Sequence, residues 1–381
     1  MRGPAVQPIV IAAGGTGGHF FPAEALASVL IARGRRVALM TDARSGGLNS
    51  SVFDQRETYV LSGAGIAGQG GLKTARAVLS LAAGVAQARA ILGRIGAAAV
   101  VGFGGYPSVA PLLAARLLRR HRLHGRPALI LHEQNAILGR ANRFLAPRAD
   151  LLALSFEATE RVPETATTQF TGNPVRAAVA ALADHAYTPP AKAIQLLVLG
   201  GSLGARVFSD IVPQAVAALP DALRARIRLT QQCRTEDLGR VRAAYEAAGI
   251  EAELSSFFPD IAGKLAAAHL VIARAGASTV AELAVAGRPS ILVPLPSAID
   301  DHQSANARAL AQAGAAWPMP QDKFTPPALA ETLARLLADP AGLAAAAAAA
   351  HTQARADAAS RLADIVEFMM LKDTIHQENG A

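Results

Sequence analysis

The chain has 381 residues, a formal net charge of +8 and one cysteine, Cys233. That length suits two domains with a core each, and a lone cysteine excludes an internal disulfide or a cysteine-cluster zinc site and suits a reducing cytoplasm. About half the residues are apolar, yet no stretch reaches about 18 apolar residues without a charge or a turn, which argues against a membrane-crossing helix; the N-terminus enters a strand too soon for a secretory signal.

Residues 8–12 form an apolar run that reads as a strand, followed by Ala13-Gly14-Gly15-Thr16-Gly17-Gly18-His19 and a helical pattern over 22–32. Strand, glycine turn and helix together aim backbone N–H groups at a phosphate. A dinucleotide site would ask for Gly-x-Gly-x-x-Gly, and Phe20 stands at its last glycine position. Asp42, after the strand 37–41, sits where a ribose-binding acid would, so that reading is damaged but open; an Asp there also suits a turn.

The strand 97–101 runs into a further glycine turn, Gly102-Phe103-Gly104-Gly105-Tyr106, and then a helix over 111–120. After the strand 128–131 comes His132-Glu133-Gln134-Asn135. No second histidine stands at 136 for a zinc helix. The four side chains suit hydrogen bonding to a polyhydroxyl ligand, or else a charged turn with a cap. The strand 150–154 precedes a polar stretch, 157–168, and the turn Thr171-Gly172-Asn173-Pro174, where a domain boundary is expected. This divides the chain into 1–174 and 175–361, with a helix near 362–381 packing back on the first domain.

A second series opens with the strand 194–199 and Gly200-Gly201-Ser202-Leu203-Gly204-Ala205-Arg206. The strand 270–273 leads into Arg274-Ala275-Gly276-Ala277-Ser278-Thr279, where Ser278 and Thr279 read as N-caps and Glu282 as the partner in a capping box. An anion at that helix start, with Glu282 on ribose, is the functional alternative. The strand 290–293 leads to Asp300-Asp301-His302-Gln303, whose acids and histidine lack a third ligand cluster for a metal. Both halves thus open alike. Open parallel sheets bind ligands at their strands' carboxyl ends, so two such sheets facing each other would set Gly14–His19 and Gly200–Gly204 across one cleft.

Taken in register, Gly14–His19, Gly102–Tyr106, His132–Asn135, Gly172-Asn173-Pro174-Val175-Arg176, Gly200–Arg206 and Arg274–Glu282 closely resemble the bacterial peptidoglycan N-acetylglucosaminyltransferases of glycosyltransferase family 28, over nearly the whole chain. The resemblance implies an α/β GT-B fold: two Rossmann-like domains with parallel sheets facing across a cleft. It implies an inverting transfer of GlcNAc from UDP-GlcNAc to lipid I, undecaprenyl-diphosphate-MurNAc-pentapeptide, to make lipid II. By the same resemblance Thr16, Gly17 and Gly18 approach the donor's diphosphate or sugar, and Asn135 with Gln303 holds the GlcNAc. Arg176 and Ser202 meet the phosphates, and Phe258 faces uracil through its backbone. Ala277, Ser278 and Thr279 form the helix start at the phosphates, with Glu282 on the ribose. Gly104, Gly105 and Tyr106 belong to the acceptor side with His19. Inversion needs a base for the attacking hydroxyl, and a histidine suits that task; His19 is the candidate, with acceptor-diphosphate binding as its alternative and Glu133 as the second candidate base. Helix N-termini and Arg176 would hold the departing UDP, so no cofactor and no divalent metal is expected.

The acceptor lives in a membrane, so the chain should dock peripherally on the anionic cytoplasmic face of the inner membrane. Leu72, Val78, Leu79, Leu81 and Val85, near Lys73, Arg76 and Arg89, form one candidate surface, and Arg116, Arg119, Arg120, Arg122 and Arg126 add a basic cluster. This stretch has no Trp or Phe to anchor it, and an ordinary amphipathic core helix over 71–91 is the plain alternative. The basic excess is assigned to anionic substrate and lipid rather than nucleic acid, with codon bias toward Arg as the bland account. The family also suggests other cell-wall and division enzymes as partners. A dinucleotide oxidoreductase, a UDP-GlcNAc 2-epimerase of the same fold and a non-catalytic membrane scaffold are the rivals.

Overall fold

The computed structural model describes residues 7–15, 17–42, 50–61, 71–119, 126–201 and 204–378, apart from the side chains of 71–76 and 373–378. The chain divides into two compact units, residues 1–176 with 357–381, and residues 177–356.

The first unit runs β1 (Ile9–Ala12), α1 (Gly17–Ala32), β2 (Val37–Asp42), β3 (Glu57–Leu61), α2 (Gly71–Ile95), β4 (Ala99–Gly102), α3 (Gly105–Leu118), β5 (Ala128–Glu133), α4 (Arg140–Leu145), β6 (Leu151–Leu154) and β7 (Thr168–Phe170). The strands are all parallel, in the order β3-β2-β1-β4-β5-β6-β7. A parallel sheet buries both faces of its inner strands, so those strands are mainly apolar, and successive residues serve opposite layers. Val10, Val100, Leu129 and Leu152 pack with Ala88, Leu92, Leu112 and Leu145 on one side. Ile9, Ile11, Val101 and Ile130 pack with Leu26, Leu30, Leu362 and Val366 on the other.

The second unit runs α5 (Ala177–Ala180), β8 (Ile194–Leu199), α6 (Arg206–Ala217), α7 (Asp221–Arg224), β9 (Ile227–Gln232), α8 (Leu238–Ala247), β10 (Glu251–Ser255), α9 (Ile261–Ala267), β11 (Leu270–Ala273), α10 (Ala277–Val285), β12 (Ser290–Leu292), α11 (His302–Gln312), β13 (Ala316–Pro318), α12 (Pro326–Leu337) and α13 (Pro340–Thr352). Its parallel order, β10-β9-β8-β11-β12-β13, repeats the scheme of the first sheet. Phe208, Tyr245, Phe324 and the aliphatic strand residues form its core.

The last helix, α14 (Ala358–Glu378), belongs to the first unit. Leu362, Ala363 and Val366 are buried in its core, and burying a Leu or Val side chain stabilises by roughly 1.5–3 kcal/mol. Arg33 adds ion pairs to Asp364 (2.6 Å) and Glu367 (2.8 Å), and Arg35 one to Glu367 (2.5 Å); such solvent-facing pairs contribute far less.

Two helices start earlier than their sequence suggests. Proline favours the first helical position, which places the starts near Pro22 and Pro111; both residues instead lie inside helices that begin at Gly17 and Gly105. The consequence is that His19 sits in the first turn of α1 rather than in the loop before it.

Among the described residues, α2 contains a stretch, Ala77–Ile95, long and apolar enough to cross a membrane, although it is interrupted by Arg89 and Arg94. Its stripe Leu81, Val85, Ala88 and Leu92 packs into the core of the first unit at the spacing of one helix face, while Val78 and Leu79 are exposed. Leu72, Lys73 and Arg76 are among the residues whose side chains are not described, and Arg120 and Arg122 lie outside the described residues.

Candidate active site

In the first unit the site grows from the ends of β1, β4 and β5. Gly15 has φ +84°, a conformation that an L side chain rarely adopts, and turns the chain from β1 into α1. His19, half-buried on the first turn, places Nδ1 2.8 Å from Gln134 Oε1. Gln134 Nε2 donates to the His132 carbonyl (2.9 Å) and lies 3.0 Å from His132 Nδ1. His132 Nε2 lies 3.1 Å from the Gly172 carbonyl. Burial pushes the His132 imidazole down to about 4, so it is neutral near pH 7. Gly105, with φ +66° at the start of α3, lies against the other edge of His19: a Cβ there would stand 3.5 Å from Nε2.

Glu133 is held from four sides. Oε1 accepts from the Asn135 backbone N–H and from Asn135 Nδ2, both at 3.0 Å. Oε2 accepts from Gly139 N–H and Asn142 Nδ2, both at 2.9 Å. His132, Glu133 and Gln134 are 0%, 2% and 1% exposed. Three of the four residues expected to meet a ligand are therefore interior scaffolding, because β5 continues past the end of β4, pairing with β6 through His132 and Glu133, and the hydrogen bonds just given turn these side chains inward. Asn135 alone of the four is half-buried. The saturated, buried carboxylate of Glu133 is poorly placed to serve as a base.

The remaining first-unit residues are spread around this cluster. Gly17 is buried and Gly18 exposed; Thr16 lies outside the described residues. Gly104 (φ +81°) packs against the Asn142 amide. Tyr106 borders a small pocket with Thr41 and Asp42, so the acid that the dinucleotide reading assigned to ribose shares that pocket with a residue expected on the acceptor side. Arg176 stacks its guanidinium 5.1 Å from the Phe21 ring centre, which fixes it beside α1.

In the second unit, Gly200 begins a turn that only glycine fits. A Cβ on it would stand 2.4 Å from Ala205 N, and Gly201 and Gly204 have φ +82° and +68°. Gln232, at the end of β9, accepts from Gly200 N–H (3.1 Å) and donates to the carbonyls of Gly201 (3.0 Å) and Ser256 (3.2 Å). It thereby ties the glycine turn to the loop that carries Phe257 and Phe258. Phe258 is buried with Lys264 Nζ 5.7 Å from its ring centre, and Phe257 is exposed. Ser202 lies outside the described residues.

The helix start at α10 differs from its sequence reading. Its N-cap is Gly276, which has no side chain to offer; Ala277, Ser278 and Thr279 form the first turn itself, so neither Ser278 nor Thr279 stands at the cap position of the expected capping box. Glu282 is buried one turn on. Arg274 is clamped by the carbonyls of Val293 and Pro294 (3.1 Å each) and by Gln321 Oε1 (2.6 Å), and this holds the ends of β11 and β12 together. Gln303 Oε1 accepts from Leu295 N–H at 3.0 Å. Before it, Asp300 and Asp301 both adopt positive φ. Among the described residues no group of three His, Cys, Asp or Glu side chains is placed to hold a metal.

Asn142 and Gln232 are the structural residues that sequence reading missed, together with the inward role of Gln134. Gln134 and Gln232 share a signal: a long amide at the carboxyl end of a central strand, where a buried turn needs both a donor and an acceptor.

Comparison with known proteins gives the same outline. Residues 9–153 match the glycosyltransferase family 28 N-terminal domain and residues 195–362 its C-terminal domain. A Granulibacter bethesdensis UDP-N-acetylglucosamine–N-acetylmuramyl-(pentapeptide) pyrophosphoryl-undecaprenol N-acetylglucosamine transferase is 60% identical, over 100% of this chain and 97% of its own. The protein of the same name from Gluconobacter oxydans is 55% identical, over 95% of this chain and 98% of its own. The crystal structure of Acinetobacter baumannii MurG superposes with a TM-score of 0.76 at 29% identity, covering 95% of this chain and 99% of that one.

Proposed function

The chain belongs to glycosyltransferase family 28, and from that premise we propose how its residues divide the work of transferring GlcNAc from UDP-GlcNAc to lipid I. It is a glycosyltransferase of peptidoglycan synthesis, sharing its full length with the relatives that carry that activity in their names. The observation that carries the residue-level reading is His19: held through Nδ1 by Gln134, it makes no hydrogen bond through Nε2 among the described residues.

In this reading His19 Nε2 takes the proton of the acceptor hydroxyl. The oxygen's freed pair attacks the anomeric carbon in line, and the bond to the diphosphate breaks with its pair leaving on UDP, which inverts the α-linked donor. Gly104, Gly105 and Tyr106, beside His19, face the acceptor. Thr16, Gly17, Gly18 and Asn135 with Gln303 address the donor sugar. The first turn of α10, whose N-cap Gly276 carries no side chain, meets the phosphates with Ser202 and Arg176. Glu282 takes the ribose, and the Phe258 backbone the uracil. Charge on the leaving group is met by N–H dipoles and Arg176, so the reading calls on no divalent metal; transfer that persists in excess chelator is the expected result. Four donors on Glu133 support giving the base role to His19 instead.

Docking is read as peripheral, on an anionic leaflet. Val78 and Leu79 are exposed, and Phe144, with Arg148 4.5 Å from its ring centre, supplies on α4 the exposed aromatic absent from α2. Arg119 contributes less than its sequence suggests, being paired with Asp150. Flotation on anionic vesicles should weaken as salt rises.

The deciding assay is UDP release from labelled UDP-GlcNAc with and without a lipid I analogue. Release that is no faster with acceptor would overturn the reading, and tight NAD binding without UDP binding would revive the dinucleotide rival.

A further inference from the structure

We propose that Gln134 and His132 are positioning residues for the transfer: one chain of hydrogen bonds through them holds His19 as its Nδ1–H tautomer and leaves the Nε2 lone pair to receive the acceptor's proton. The proposal rests on the reading of His19 as the base.

The assignment follows from the two ends of the chain, where the groups have no choice. The Gly172 carbonyl can only accept, so His132 Nε2, 3.1 Å away, carries a hydrogen. His132 has no exposed surface and is neutral in the fold, so a hydrogen on Nε2 leaves Nδ1 bare. The His132 carbonyl also only accepts, and Gln134 Nε2 lies 2.9 Å from it. The amide nitrogen is therefore fixed on that side, and its second hydrogen reaches His132 Nδ1 at 3.0 Å. Gln134 Oε1 is left facing His19 Nδ1 at 2.8 Å. An amide oxygen only accepts, so the hydrogen belongs to His19 Nδ1. Flipping the amide would set two acceptors together at the His132 carbonyl, so the network has one consistent set of protons.

Two consequences follow. The orienting group is a neutral amide, so it selects the tautomer without adding a charge beside the base. When the hydroxyl proton arrives on Nε2, the Nδ1–H bond to Gln134 persists, and the imidazolium keeps its orientation through the step. Gly105 guards the other edge, where any side chain would stand within 3.5 Å of Nε2.

The test begins with the unmodified protein. Histidine labelled with ¹⁵N, at a pH where the imidazole of His19 is neutral, should give a protonated-type Nδ1 and a bare-type Nε2 for this residue, identified by their loss in His19→Gln. A bare Nδ1 overturns the proposal whatever the variants do. Gln134→Met, which keeps the length and removes both hydrogen-bonding ends, should lower kcat about 10- to 100-fold, leave KM for UDP-GlcNAc unchanged, and mix the two tautomers in the spectrum. If His19→Gln abolishes transfer while Gln134→Met changes neither kcat nor the spectrum, the relay is wrong and the base stands. If His19→Gln retains transfer, the base reading itself has failed.

Discussion

The two units open with the same device, a strand, a glycine turn and a helix, and use it for different ends. In the first, the turn after β1 delivers a side chain: His19 rides on the first turn of α1 and is gripped from β5 by Gln134. In the second, the turn after β8 is itself the object gripped. Gln232 holds its backbone from both sides, and no titratable side chain stands among the described residues of the turn before Arg206. The difference teaches that topology fixes where each turn forms, while the amides at neighbouring strand ends decide whether its side chain or its backbone is gripped.

The sharpest way to break this contrast is at each turn's key residue. Loss of a general base reduces rate by about 10²–10⁴-fold, so His19→Ala should lose about 10³-fold in kcat while UDP-GlcNAc binding, followed by calorimetry, is kept. Retained turnover would mean that the first turn is a backbone device like the second. Gly200→Ala attacks the other turn, since its methyl would press on Ala205 N at 2.4 Å. Backbone displacement of that kind should destabilise the protein by about 2–3 kcal/mol, seen as a lower thermal midpoint, and weaken UDP binding. An unchanged midpoint would show that the second turn is less constrained than its geometry demands.

What the sequence made legible follows the same division. Central strands announce themselves because both faces are buried, so β1, β4, β5, β6, β8, β11 and β12 read directly as apolar runs. Among the edge strands, β3, β7 and β10 leave every residue but Leu61 exposed or half-buried, and polar edge sequences resemble loops. Strand β9 alternates buried Ile227, Leu229 and Gln231 with more exposed residues, and a buried glutamine breaks the apolar pattern. At the site, the glycine turns and His19 were legible, but the direction of the His132–Asn135 side chains was not. It depends on β5 extending to Glu133 and on Asn142, nine residues further along the chain, completing the shell around Glu133. The α10 cap was misread because Ser278 and Thr279 fit the capping pattern in composition, whereas the backbone starts the helix one residue before them.

Acid probes the histidine relay of the first unit more gently. His132 is buried and neutral in the fold at about 4, against an ordinary value of 6.5. The unfolded chain therefore takes up that proton first as pH falls. The stability tied to the neutral ring is fully present above about pH 6.5 and is lost as pH drops through about 4, to a limit of about 3 kcal/mol. His269, in the second unit, is also lowered by burial and acts with the same sign. Urea unfolding over this range should thus show a steep acid loss in the unmodified chain and a shallower one in His132→Gln. Equal slopes would mean that the relay is solvated enough to protonate without penalty.

The smallest predicted effect tests whether the start of α10 is kept open for a ligand or capped like other helices. Asp260 accepts from Gly263 N–H at 2.8 Å and caps α9, and Asp339 does the same for α13 through Gly342 at 2.9 Å. Removing such a cap typically costs about 1 kcal/mol, so Asp260→Ala should lower the unfolding free energy by about that amount. Thr279 lies in the first turn of α10 and makes no capping bond, so Thr279→Ala should stay within about 0.5 kcal/mol. The N–H groups at that start would then be met by donor phosphate, and saturating UDP should raise the midpoint of Asp260→Ala and Thr279→Ala equally. A full cap-sized loss in Thr279→Ala without ligand would show that the helix is closed by its own side chain, and the phosphate would have to be held elsewhere in the unit.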